Sequence, residues 1–250
     1  MGATLAAWQM VMAALAAILI GISKTGISGL GVLSVVLLAS VFPVRDSVGI
    51  VLPVLIVGDI VAVALYRREA SWPHLWRIFP WAAIGVVIGA LALGKLDNLL
   101  MQRLMGILVV VLVIMQFFRM RKAQGNPNAE PDLSHTLGVG AGLLAGFTTM
   151  IANAAGPIMA IYLLAMRLPK MIYMGTSAWY FLVLNVFKVP FSVGLGVINM
   201  STIMVSLALA PFAIMGAFIG SKLLVRIDQR LFENLAIGLS FVAGIRLLFM

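Results

Sequence analysis

Long apolar runs, separated by short basic or proline-containing breaks, make up most of this sequence. A helix needs about 20 mostly apolar residues to cross the hydrocarbon core of a bilayer. Residues 3–22, 48–66, 78–94, 99–118, 172–195, 203–225 and 231–249 meet that requirement and are expected to span. Two further apolar stretches, 29–42 and 157–166, are short for a full crossing. Each follows an interruption by small, hydroxylic or amide residues: GISKTGISGLG at 21–31 and GFTTMIANAAG at 146–156. The short stretches read as the return arms of re-entrant hairpins, with residues 137–151 leading into the second. The ten-residue alternation of a membrane β-barrel is absent, so every expected element is a helix.

The two interruptions share a frame. Ser23 matches Thr148, Lys24 matches Thr149 and Ser28 matches Asn153. The register extends beyond the breaks. Pro80, Gly85, Gly89 and Asp97 have the same spacing as Pro211, Gly216, Gly220 and Asp228, and Gly49 and Asp59 match Gly175 and Asn185. The chain therefore divides into an N-terminal repeat, 1–120, and a C-terminal repeat, 136–250. A linker at 121–135, rich in Pro, Asn and acidic residues, has the composition of a solvated connector. Each repeat holds one broken hairpin and three spans, so each reverses the side of the chain. The expected fold is an all-α polytopic membrane protein with two inverted-topology repeats.

Composition sharpens this picture. The chain is 63% hydrophobic and only 10% charged, whereas soluble domains are about half apolar and a quarter charged. The lipid bilayer must serve as its solvent. The net charge of +9 does not call for nucleic acid as a partner, because cytoplasmic loops of membrane proteins collect Lys and Arg. With the N-terminus outside, the basic clusters around Arg67, Arg119, Lys170 and Arg226 face the cytoplasm. Only Arg45, Lys95, Arg103 and Arg246 fall near the outer face. Both termini are thus expected outside and the linker inside. No basic region precedes the first apolar run, so that run is expected to remain as the first segment. The absence of cysteine excludes disulfides and thiolate metal sites. His74 and His135 are expected in loops, too far apart for a metal site. No metal or cofactor is expected, and no nucleophile–base pair suggests an intramembrane enzyme.

Glycine-rich backbone at membrane depth is costly unless it lines a cavity or is covered by protein. Paired broken helices in corresponding positions of two halves mark a transport site. A helix N-terminus exposes free N–H groups and partial positive charge, which together suit an anion. Ser28 and Asn153 are expected N-caps, and Pro157 suits a first helical turn. Gly29, Gly31 and Gly156 permit close backbone approach to a ligand. Ser23, Thr25, Thr148 and Thr149 add hydroxyl donors, and Lys24 adds a full charge. The competing reading is that these residues only pack helices while Lys24 snorkels to water.

Ionisable groups inside spans are expensive and face a cavity or a partner. Asp59 is a candidate proton carrier, a candidate partner of Lys188 or Lys24, or a cation site. Lys188 lies one turn after Asn185, and the two are candidate anion ligands on one helix face. Thr176 and Tyr180, in the run from Gly175 to Phe181, either wall a permeation path or face lipid. Together these features point to a secondary transporter for a small anion, working by alternating access, with protons as a candidate coupling ion. An anion channel is the alternative. The sequence leaves the oligomeric state open.

The residues also carry a resemblance. GISKTGISGLG, the span ending VGDIVAVALYRR, GFTTMIANAAGPIMAIYLL, LPKMIYMGTSAWYFLVLNVFKVPF and PFAIMGAFIG resemble the TauE/SafE family of sulfite exporter-like permeases. The second break differs from the glycine-rich form of that family at Asn153, Ala154 and Ala155. The resemblance implies transport of sulfite, sulfoacetate or a related organosulfonate across a bacterial inner membrane.

Overall fold

The computed structural model of the protein describes residues 7–26, 30–122, 135–166, 168–223 and 245. In chain order the helices are α1 (Ala7–Thr25), α2 (Leu30–Val41), α3 (Val44–Tyr66), α4 (Trp72–Leu93), α5 (Asn98–Lys122), α6 (His135–Ala152), α7 (Gly156–Ala165), α8 (Lys170–Gly194) and α9 (Met200–Leu223). A 3₁₀ turn, Arg67–Glu69, joins α3 to α4, and no strand occurs among the described residues. The expected span at 231–249 lies outside them apart from residue 245. Of the described helices, α1, α3 with its following turn, α4 and α9 are long and apolar enough to cross a membrane. The chain is a multi-pass helical membrane protein. The helices that follow the two breaks are short: α2 has 12 residues and α7 has 10. At 1.5 Å per residue they reach about 18 and 15 Å, roughly half of a bilayer core.

Several boundaries differ from the sequence expectation, each for a local reason. Helix α1 continues through Ser23 and Lys24 to Thr25. The Ser23 hydroxyl donates to Ile20 O at 2.7 Å, so it is satisfied without breaking the helix. Helix α3 starts directly after Pro43 and takes in Arg45 and Asp46, because Pro sets an extended approach without needing a donor. Helix α4 starts at Trp72 with Pro73 in its first turn, a position that tolerates Pro. His74 is therefore helical rather than in a loop, and its Nδ1 lies 2.7 Å from the Ser71 hydroxyl. His135 likewise opens α6.

Helix packing rests on small residues. The two most extensive interfaces are α1 with α9 and α4 with α6. A Cβ at Gly21 would collide with the Ala213 carbonyl, and one at Gly216 with the Ile18 carbonyl. On the other side, a Cβ at Gly146 would collide with Ala82 O and one at Gly85 with Leu143 O. Lipid offers no hydrophobic drive between helices, so close backbone approach supplies the contact energy. Large side chains such as Leu91, Met204, Leu207 and Phe218 point outward, as a lipid-facing surface requires. Helix α3 is the most buried of the four candidate spans, and α8 packs along it. This central pair carries Asp59, Asn185 and Lys188 into the interior.

Candidate functional site

Both helix breaks contribute to the lining of one pocket. The α1–α2 break contributes Ser23, Lys24 and Gly31, and the α6–α7 break contributes Thr149, Asn153 and Gly156. Between them lie Asp59 of α3 and Asn185 and Phe181 of α8. A Cβ on Gly156 would meet nothing within 4 Å, and one on Gly31 would meet only the Ser23 hydroxyl at 3.6 Å. These two glycines thus differ from Gly21 and Gly146: they leave room for a ligand rather than for a neighbouring helix.

A continuous chain of polar contacts forms the floor. Lys24 Nζ lies 2.8 Å from Asp59 Oδ1 and 4.1 Å from the centroid of the Phe181 ring, within cation–π range. Asn185 Nδ2 donates to Asp59 Oδ2 at 2.6 Å. Lys188 Nζ donates to Asn153 Oδ1 at 2.6 Å, Thr149 Oγ1 at 3.0 Å and Asn185 Oδ1 at 3.3 Å. Three oxygen acceptors match the three N–H donors of an ammonium. Asn153 Nδ2 donates in turn to Val48 O at 3.1 Å, which orients the Asn153 amide with its oxygen toward Lys188. Of the partners open to Asp59 in the sequence, Lys24 binds it directly, and Lys188 reaches it through Asn185. The Asp59 side chain is fully buried, Lys24 is 9% exposed and Lys188 is 1% exposed. The cluster holds two lysines and one aspartate, so in fully ionised form it is cationic.

Asn153 does not cap α7. Its φ of 51° is left-handed, and its N–H donates to Thr149 O at 3.0 Å, which makes it the C-terminal stop of α6. Asn tolerates this conformation better than most residues. The first carbonyl to accept within α7 is that of Ala155, from Met159 N–H at 3.0 Å. Pro157 sits in the first turn of α7, as its chemistry suggests.

The remaining sequence candidates separate cleanly. The Thr25 hydroxyl donates to Ala217 O at 2.6 Å and so locks α1 to α9. Thr148 donates to Leu144 O in its own helix at 2.8 Å. Thr176 accepts from Ser71 N–H at 2.8 Å and steadies the start of α4. None of these three lines the pocket, and neither does Tyr180, which is fully buried with its hydroxyl unpartnered among the described residues. Lys188 belongs to the polar network of the floor but does not itself line the pocket. Ser28 and Gly29 lie outside the described residues.

Sequence reasoning missed the apolar wall formed by Val32, Leu55, Met174 and Ala178. Three of these could have been found. Met174, Ala178, Phe181, Asn185 and Lys188 recur at intervals of three and four, which places them on one face of α8. Leu55 stands one turn before Asp59. Val32 carries no signal that separates it from a core or lipid-facing residue.

No curated protein and no solved structure matches the chain. The profile of one family, described as Sulfite exporter TauE/SafE, matches residues 13–247. A charged, buried floor beneath a pocket between two broken helices thus lies in a multi-pass chain that belongs to the TauE/SafE family of membrane sulfite and anion exporters.

Proposed function

We propose that the protein is a secondary transporter for a small anion, sulfite, sulfoacetate or a related organosulfonate, in the bacterial inner membrane. The observation that carries this reading is the meeting of both helix breaks at one pocket lined by Lys24, beneath which Asp59, Asn185 and Lys188 form a buried polar network. Backbone around Gly31 and Gly156 approaches the anion closely, Thr149 offers its hydroxyl hydrogen, and Lys24 provides the charge that faces it. Burying a lone anion at this depth is prohibitive without such partners.

Alternating access between two inverted repeats, 1–120 and 136–250, is the mechanism we assign. Reciprocal packing supports it. Gly21 sits on α9 as Gly146 sits on α4, and Gly216 sits on α1 as Gly85 sits on α6. Asp59 and Asn185 occupy matching frames and hydrogen-bond each other across the centre. Both termini then lie outside and the 121–135 linker in the cytoplasm. A cysteine at Asn128 in this cysteine-free chain should resist an impermeant thiol reagent in intact cells; labelling from outside would reverse the topology.

Flux into proteoliposomes tests the function itself. Sulfite, sulfoacetate, sulfate, taurine and simple carboxylates would be compared as substrates. Saturable uptake of a sulfur oxyanion supports the transporter. Non-saturating conductance would make the protein a channel, and no anion flux at all would reject the proposal.

A further inference from the structure

The floor contains its own anion. Among the residues that line the pocket, Lys24 is the cation and Asp59 the anion, and they are paired at 2.8 Å. Lys188 has no donor left for a substrate, because Thr149, Asn153 and Asn185 take its three N–H groups. Lys24 differs. It faces the pocket, and its polar partner among the described residues is the carboxylate of Asp59. An incoming anion that uses the charge of Lys24 must therefore compete with Asp59.

We infer that Asp59 is a resident counter-anion that substrate displaces from Lys24, so that each anion bound brings a proton onto Asp59. This rests on the anion-transport reading above and assigns its coupling step. The charge balance explains the step. A monovalent anion lowers the net charge of the cluster by one and takes Lys24 from Asp59, and one proton on Asp59 restores the charge the cluster had before. That leaves Asp59 buried with only the amide of Asn185 on Oδ2. A buried carboxylate without a direct cation is strongly disfavoured. Protonation at Oδ1 removes the charge, keeps the Asn185 bond on Oδ2, and gives Oδ1 a hydrogen to donate to the bound anion. The proton comes from water in the pocket and leaves when the anion leaves and Lys24 re-forms its pair. The charged groups that act on Asp59 are Lys24 from α1 and Lys188 from α8; α2, also packed on α3, contains none, and the charged residues of α5, α9 and the Arg67–Glu69 turn are not among them.

The alternative is that Asp59 merely orients Lys24 for the substrate. The two differ in sign. Methanesulfonate is a suitable probe because it stays a monoanion across the working pH range. Its affinity for the purified full chain would be measured by calorimetry from about pH 6 to about pH 8, with a pH-indicator dye reporting proton uptake. Exchange expects affinity to rise as pH falls, by up to about tenfold per unit, with one proton taken up per anion. It also expects Asp59→Asn to bind about tenfold tighter near pH 8 and to lose the pH dependence. A flat wild-type profile without proton uptake, or weaker binding by folded Asp59→Asn, would overturn the exchange while leaving the anion site standing. If the wild-type chain binds neither methanesulfonate nor sulfite, the transport reading itself fails. The wild-type titration needs no variant, so misfolding of Asp59→Asn cannot rescue the idea.

Discussion

The two helix breaks meet at one pocket but solve the same problem differently. The break after α1 carries its own charge: Lys24 sits in the last turn of α1 and pairs with Asp59 across a short gap. The break after α6 is neutral. Thr149 and Asn153 face inward there, and the charge comes from Lys188 on another helix. Thr149 holds the frame of Lys24, and Asn185 the frame of Asp59, so the second half keeps the positions and discards their charges. The difference assigns distinct tasks. Lys24 is exposed to the pocket and held by one carboxylate, so it can be exchanged. Lys188 is enclosed by three neutral acceptors and holds Asn153 and Asn185 in place.

The strongest way to break this comparison is to remove each side in turn. Lys24→Gln leaves a buried carboxylate without its cation and should lower stability by about 3–5 kcal/mol while abolishing anion binding. Adding Asp59→Asn should restore the melting temperature in detergent but not the binding. Thr149→Val, in the matching frame, removes one of three acceptors and should cost only about 1 kcal/mol. Equal losses at the two positions would erase the distinction.

Lys188→Ala comes next. It leaves buried oxygens of Thr149, Asn153 and Asn185 without a donor, each at about 1–3 kcal/mol. Unfolding should become markedly easier, with a smaller loss of affinity than in Lys24→Gln. A variant as stable as wild type but unable to bind would instead make Lys188 a direct ligand.

The pocket glycines should behave alike across the two breaks. At Gly31 and Gly156 a side chain projects toward open space, so Gly31→Val and Gly156→Val should change stability by about 1 kcal/mol or less and abolish transport. Retained transport in either folded variant would remove that break from the site. The smallest effect separates two changes at one residue. Asn153→Gly keeps the left-handed backbone and loses only the side chain, whereas Asn153→Ala adds roughly 1 kcal/mol of backbone strain. Thermal denaturation of the pair measures that difference; its absence would mean the α6 stop does not depend on φ.

Much of this molecule was determined by sequence alone, for reasons of length and chemistry. Apolar runs of spanning length cannot be soluble helices, and two runs too short to span had to follow breaks. Lys24, Asp59, Asn185 and Lys188 stood out because polar groups at that depth require partners. Which partner each one has was decided by tertiary structure. Asp59 and Asn185 are 126 residues apart, and Thr25 and Ala217 are 192 apart; no local pattern encodes such pairings. The hydroxyls of Thr25, Thr148 and Thr176 looked the same in sequence as that of Thr149, yet only Thr149 lines the pocket. Helix packing turned the others toward carbonyls or a neighbouring N–H. The handedness of Asn153 followed the same logic. Its residue type allows either a cap or a left-handed stop, and Lys188 arriving from α8 with a donor to satisfy is what the chain's local sequence does not contain.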